Sequence, residues 1–242
     1  MKGLKIAWII TMVFGFIFMI CSVSALPSGV GAITPISSGR MSISSAQNQS
    51  ALAGNVSEVV MTGNTITQTW QGYYGNVSGK MILGDANNNT FYDWSAASAH
   101  GEIYATRSAT TPVWTNIRCA NPANITAEDT YLGTNQSTDP DSVNNTFLNT
   151  TNFNQFYVGS VNINTSQNCF ATRMYNQSGL KSTSSWAEVL LSDTTNNIYT
   201  SILESKVTGF DNRNHDFQML VGENGHGTDT ATTTYYFYLE LG

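Results

Sequence analysis

Charge is scarce in this chain. Only 11% of its residues are Asp, Glu, Lys or Arg, and the ten Lys and Arg are outnumbered by sixteen Asp and Glu. Ordinary soluble domains carry roughly 25%. Binding nucleic acid requires a basic stripe that displaces the counterions of the phosphates. A net charge of −6 and a pI of about 4.9 leave no such stripe, and that class is excluded. Histidine is equally sparse. His215 and His226 are not at metal-ligand spacing, and His100 stands apart from both. The chain has no G-x-S-x-G, no H-E-x-x-H and no phosphate-cradling glycine loop. Apolar residues do not recur at the 3.6-residue helical period beyond residue 25, which excludes a helical bundle. A glycosidase needs only two carboxylates, so missing motifs do not exclude one. The nearest acid–base set is His100-Gly101-Glu102 with Asp93, but neighbours on a strand point to opposite faces.

Long apolar runs are confined to the N-terminus. In residues 1–25, Lys2 and Lys5 precede an apolar stretch, and Val23-Ser24-Ala25 forms a small-residue cleavage site. This is the pattern of a signal peptide. The apolar stretch, about 18 residues to Val23, also meets the lower limit for a membrane anchor, the one means by which this chain would touch a membrane. Residues 26–50 are rich in Ser and Gly with two prolines. They read as a linker or one loose strand around 39–43, with a strand donated to a neighbour's sheet as the other possibility. Residues 51–242 form the folded domain. Beyond the leader only Cys119 and Cys169 remain, an even pair suited to a disulfide in an oxidising compartment; a two-cysteine metal site is the competing reading.

Short β-prone runs fill the domain, separated by Asn, Gly, Asp and Ser turns. Strands are expected at 56–61, 65–71, 77–83, 90–93, 102–107, 113–119, 156–163, 170–175, 187–191, 198–203, 217–221 and 233–241. Several alternate apolar and polar residues, as strands with one wet face do; 189–191 and 235–239 are continuous apolar runs suited to central positions. About ten strands at this spacing predict an all-β, antiparallel sandwich of jelly-roll or Ig-like kind. Residues 121–154 are polar, and read as a decorated loop or as holding a short helix after Asp139-Pro140. Asp141 would cap that helix, with Val143 and Phe147 on one face.

Ten Asn residues of the 25 stand in N-x-Ser/Thr sequons: Asn48, Asn55, Asn76, Asn88, Asn124, Asn135, Asn144, Asn149, Asn164 and Asn176. A surface with few charges and many sequons implies attached glycan as a source of solubility. Asp85, Asn87 and Asn89 match the start of a calcium loop, but Thr90 occupies its glycine position and Ala96 stands where the bidentate Glu belongs. A turn is the competing reading. Trp70, Tyr73, Tyr74, Tyr92 and Trp94 would make a stacking platform for sugars if exposed, or would fill a core.

The blocks 70–79, Tyr92-Asp93-Trp94, 101–106, 117–119, 217–221 and 235–241 resemble a family of uncharacterised exported, sequon-rich archaeal surface proteins. The resemblance implies a cell-envelope setting and brings no established activity, ligand or catalytic residue. The expectation is a secreted or cell-surface glycoprotein with a structural or adhesive role and no catalysis, with envelope proteins or surface glycans as its partners. A carbohydrate-binding module using exposed aromatics is the second reading, and an extracellular hydrolase the third. No cofactor is expected, apart from calcium at the Asp85 loop.

Overall fold

The computed structural model describes residues 26–42, 44–95, 100–224 and 232–242. Residues 1–25, where a signal peptide or anchor is expected, and Ile43, Ala96 and His226 lie outside the described residues. The strands are β1 (Ser28–Gly29), β2 (Trp70–Gly75), β3 (Lys80–Gly84), β4 (Thr90–Ser95), β5 (Gly101–Thr106), β6 (Arg118–Cys119), β7 (Phe156–Val158) and β8 (Val161–Ile163). There follow β9 (Ala171–Arg173), β10 (Ala187–Ser192), β11 (Asn197–Ile202), β12 (Val207–Thr208), β13 (Asn214–His215), β14 (Phe217–Gly222) and β15 (Tyr236–Leu241). Two α-helices, α1 (Pro122–Leu132) and α2 (Val143–Thr146), lie between β6 and β7.

The fold is all-β, antiparallel and sandwich-like. Its main sheet runs β1-β15-β5-β11-β10-β6, with β9 also paired to β10. The apolar run 189–191 falls in β10, where every residue is buried, because this sheet is covered on both faces. On one face Tyr104, Val189, Leu191, Ile198 and Tyr238 pack with Trp114 and with Phe156, Val158 and Ile163 of the β7–β8 hairpin. On the other, Ile103, Ala105, Leu190 and Tyr199 meet Ile125 and Leu132 of α1, Phe147, and Met219 and Val221 of β14. β14 pairs with β2 as a second layer. The continuous apolar run of β10 thus takes the doubly covered, central place expected of it, whereas alternation with one wet face does not hold for β5 and β11, which are covered on both faces as well.

Four local expectations also change. Residues 56–61 form no strand. Residues 113–119 become a 3-10 turn, Trp114–Asn116, followed by the two-residue β6. The helix near 140 is present and buries Val143 and Phe147, but Ser142 caps it in place of Asp141. Asp141 instead accepts hydrogen bonds from Thr67 and Thr69, and its carbonyl accepts from Trp70 Nε1. The polar middle also contains α1, which was not expected. Asn121 and Asn124 form a reciprocal capping box, Pro122 opens the helix with φ already suited to it, and Gly133 closes it at φ 71°.

Cys119 and Cys169 are bonded, with Cα atoms 4.9 Å apart. β6 and β9 lie end to end along the same edge of β10, through the pairs Leu191↔Cys119 and Val189↔Ala171. The disulfide ties Cys119 of β6 to Cys169, two residues ahead of β9, and so links the neighbouring ends of these two short strands. It is compatible with an oxidising, extracellular location.

Candidate functional site

Among the described residues, β3 and β4 pair only with each other, as a sheet separate from the main one. Gly79 at their base lies against Leu241, a contact too close for a Cβ atom. In the ladder Met81 faces Trp94 and Leu83 faces Tyr92, with Ile82 opposite Asp93 between them. Side chains alternate across a sheet, so Met81, Leu83, Tyr92 and Trp94 share one face. Lys80, Ile82 and Asp93 take the other, where Lys80 Nζ lies 2.6 Å from Asp93 Oδ2. The aromatic face is uncovered: these four side chains keep 49–57% of their surface exposed. An isolated hairpin is marginal in water, and three strands or packing against another element are needed for stability. This hairpin therefore presents an amphipathic surface that lacks its cover.

The hairpin turn uses the residues that matched a calcium loop. Asp85 Oδ1 accepts from the backbone N–H of Asn87 and Asn89 at 2.9 and 2.8 Å, and Oδ2 accepts from Asn89 Nδ2. These donors, Asn89 foremost, hold the carboxyl below its usual range. Asp85 thus spends its lone pairs closing the turn, the chemistry that makes Asx residues common there. Among the described residues, no three His, Cys, Asp or Glu side chains converge on a point where a metal ion would sit.

The five aromatics of the suspected platform divide among three environments. Trp70 is half-buried against the core, donating to the Asp141 carbonyl at 2.6 Å and packing on Phe147 and Tyr199. Tyr73 lies edge-on to Phe237, and Tyr74 edge-on to Phe210 and His215. Only Tyr92 and Trp94 meet each other, with centroids 4.9 Å apart. His100, Glu102 and Asp93 likewise do not converge. His100 is exposed, Asp93 pairs with Lys80, and Glu102 is buried.

Comparison with protein-family models, curated proteins and solved structures finds no match. The geometry alone carries the functional argument.

Buried acids gather in two places, one outside the expected sites and one around Glu102. The first borders a polar hollow of about 180 Å³ lined by Thr106, Arg107, Ser108, Asn124 and Asn197. At its wall, Glu128 receives both guanidinium nitrogens of Arg107, Asn197 Nδ2 at 2.9 Å and Tyr199 Oη at 2.7 Å. Burial opposes its ionisation, yet Arg107, Asn197 and Tyr199 together hold the carboxyl below its usual range. Arg107 also stacks over the Tyr131 ring at 3.8 Å. A general base needs a free lone pair toward its substrate, and here four donors already surround the carboxylate. Glu128 is a clamp that fixes α1 to β5 and β11. Glu128→Gln replaces one acceptor oxygen by a donor facing another donor. It is expected to cost about 2 kcal/mol, read as a lower urea midpoint at neutral pH.

In the second cluster Glu102 and Glu240 are cross-strand partners in β5 and β15, both buried. Glu240 accepts from Tyr104 Oη at 2.8 Å and from the Gly159 N–H at 2.9 Å. Burial, and then the charge of Glu240, pushes Glu102 up to about 8. A third acid, Glu188, is wholly buried, and among the described residues its hydrogen-bond partner is the Leu220 N–H at 2.8 Å. Burial raises its pKa well above the usual value. These acids are embedded in the packed sheet, so they act on stability.

Proposed function

We propose that this chain is an exported, N-glycosylated protein of the cell envelope or extracellular space that acts by surface contact, structural or adhesive, without catalysis. The uncovered face of the β3–β4 hairpin carries the reading. A free-standing hairpin that exposes Met81, Leu83, Tyr92 and Trp94 gains stability only when something covers it. The sequons agree with this setting. None of the ten acceptor Asn residues is buried, and Asn48, Asn55, Asn76, Asn88, Asn135 and Asn149 are exposed. An archaeal envelope is the setting that the sequence resemblance favours, and the disulfide suits it.

The test is retention on envelopes of the producing cells. Tyr92→Ser with Trp94→Ser leaves the core and the disulfide untouched, and is expected to weaken retention at least tenfold. Unchanged retention would sink the contact reading. The exposed Tyr92–Trp94 pair also favours a second reading, a carbohydrate-binding module. In that case free saccharides compete for retention of the unaltered protein, whereas a protein contact is indifferent to them.

A further inference from the structure

The hairpin is half of an incomplete sheet, and the same chain carries a strand without a sheet. Between β1 and β2, residues 30–69 contain no helix or strand among those described. Structureless connections of such length are uncommon inside compact domains and serve either as functional segments or as linkers. Within this one, Asn55-Val56-Ser57-Glu58-Val59-Val60-Met61 has the β-branched composition of a strand. Yet Val56, Val60 and Met61 keep 101, 89 and 86% of their surface exposed, and Val59 keeps 52%. No backbone hydrogen bond joins this segment to the hairpin or to the main sheet among the described residues.

We propose that residues 56–61 of a second copy add to the free edge of β3 as a third antiparallel strand, with the exchange made reciprocally between two copies. This goes beyond the contact reading above and concerns the edge of the hairpin, not its face. Parity selects the register. Side chains alternate, so a strand placed beside β3 sends either Glu58 or its neighbours to the aromatic face. Glu58 and Arg40 are the only charged residues in 26–69. Placed on the polar face, Glu58 meets Lys80 and Asp93 and complements the lysine. The same placement sets Val59 and Met61 beside Met81 and Leu83, and Val56 and Val60 beside Ile82. The opposite parity would bury the Glu58 charge among Met81, Tyr92 and Trp94. One register thus satisfies charge and apolar cover together.

Three strands with an apolar face make the smallest sheet that is stable in water. Edge addition leaves the face carrying Tyr92 and Trp94 open and widens it by Val59 and Met61, so the exchange and the surface contact use different parts of the hairpin. Because the exchange is reciprocal it closes at two copies; a one-way donation would run on into a filament.

The experiment uses the exported protein at full length. Sedimentation is expected to give twice the chain mass for the unaltered protein and the monomer mass, or at least tenfold weaker association, for Val59→Asp. Because residue 59 is exposed in the monomer, this variant should keep its fold and its disulfide. Mixing Val59→Cys protein with Met81→Cys protein should yield a disulfide between chains. An unaltered protein that stays monomeric at all concentrations overturns the proposal. So does a double variant, Val59→Cys with Met81→Cys, that bonds only within one chain. If the unaltered protein is monomeric while Tyr92→Ser with Trp94→Ser still abolishes retention, the second copy is ruled out and the contact reading stands. If the protein dimerises through residue 59 but retention ignores the hairpin, the contact reading falls and the exchange stands.

Discussion

Replacing Cys119 and Cys169 together by alanine is expected to lower stability by about 4 kcal/mol, the chain-entropy value for a closed loop of this size. The two cysteines are 50 residues apart, and the loop between them contains α1, α2, β7 and β8. These elements supply cover to both faces of the main sheet, through Ile125, Leu132 and Phe147 on one side and Phe156, Val158 and Ile163 on the other. Opening the bridge gives the unfolded chain back its freedom over that whole stretch. It also leaves β6 attached to β10 by a two-residue ladder. For a domain of about 200 residues, the loss corresponds to a fall in Tm of roughly 8–16 °C. Urea unfolding of the double variant against the unaltered protein measures it. A loss below about 1 kcal/mol would mean that packing alone holds the covering loop in place.

The carboxyl pair of β5 and β15 makes stability depend on pH, in a direction opposite to most paired acids. Glu102 keeps its proton in the folded protein up to about 8, against an ordinary value of 4.5. Between these values the folded chain binds a proton that the unfolded chain has released. Stability is therefore full below about 4.5 and falls by about 1.4 kcal/mol per pH unit as pH rises toward 8. Glu102→Gln should remove this contribution, because the amide is neutral at every pH. At pH 8 the variant is expected to exceed the unaltered protein by up to about 5 kcal/mol. At pH 4 the two should nearly coincide. Urea midpoints at several pH values for both proteins test this. Parallel curves would show that the pair holds no shared proton. Glu188, raised by burial in the same direction, contributes equally to both proteins and cancels in the comparison.

Much of the architecture was legible along the chain. The period-two alternation, the apolar run at 189–191 and the Asn and Asp turns gave the antiparallel sheets and the central place of β10. The lone pair of cysteines gave the bridge. The helix α1 was hidden for a physical reason. Its capping signals are all present, but its buried face carries Glu128 and Asp129 beside Ile125 and Leu132. A search for apolar periodicity passes over a helix whose inward side chains are acids. Those acids are tolerated because each finds donors: Glu128 binds Arg107, while Asp129 accepts from Val143 N at 2.6 Å and Thr134 Oγ1 at 2.7 Å.

The site was less legible than the fold. The five aromatics lie within 25 positions of one another, yet Trp70 packs against the core while Trp94 remains half exposed. The reason is distance along the chain. Trp70 is covered by Phe147 and Tyr199, many residues downstream, whereas among the described residues no downstream strand pairs with the β3–β4 hairpin. Residues 56–61 show the same limit from the other side, since strand-like composition does not provide a partner strand. The sequence by itself determined local chain geometry: where strands run, where they turn, how their side chains alternate and which two cysteines were available to pair. Only the tertiary structure decided which faces are covered, which carboxyls lose water and which aromatics stay outside. Periodicity is a property of neighbouring residues, while burial is conferred by segments tens of residues away.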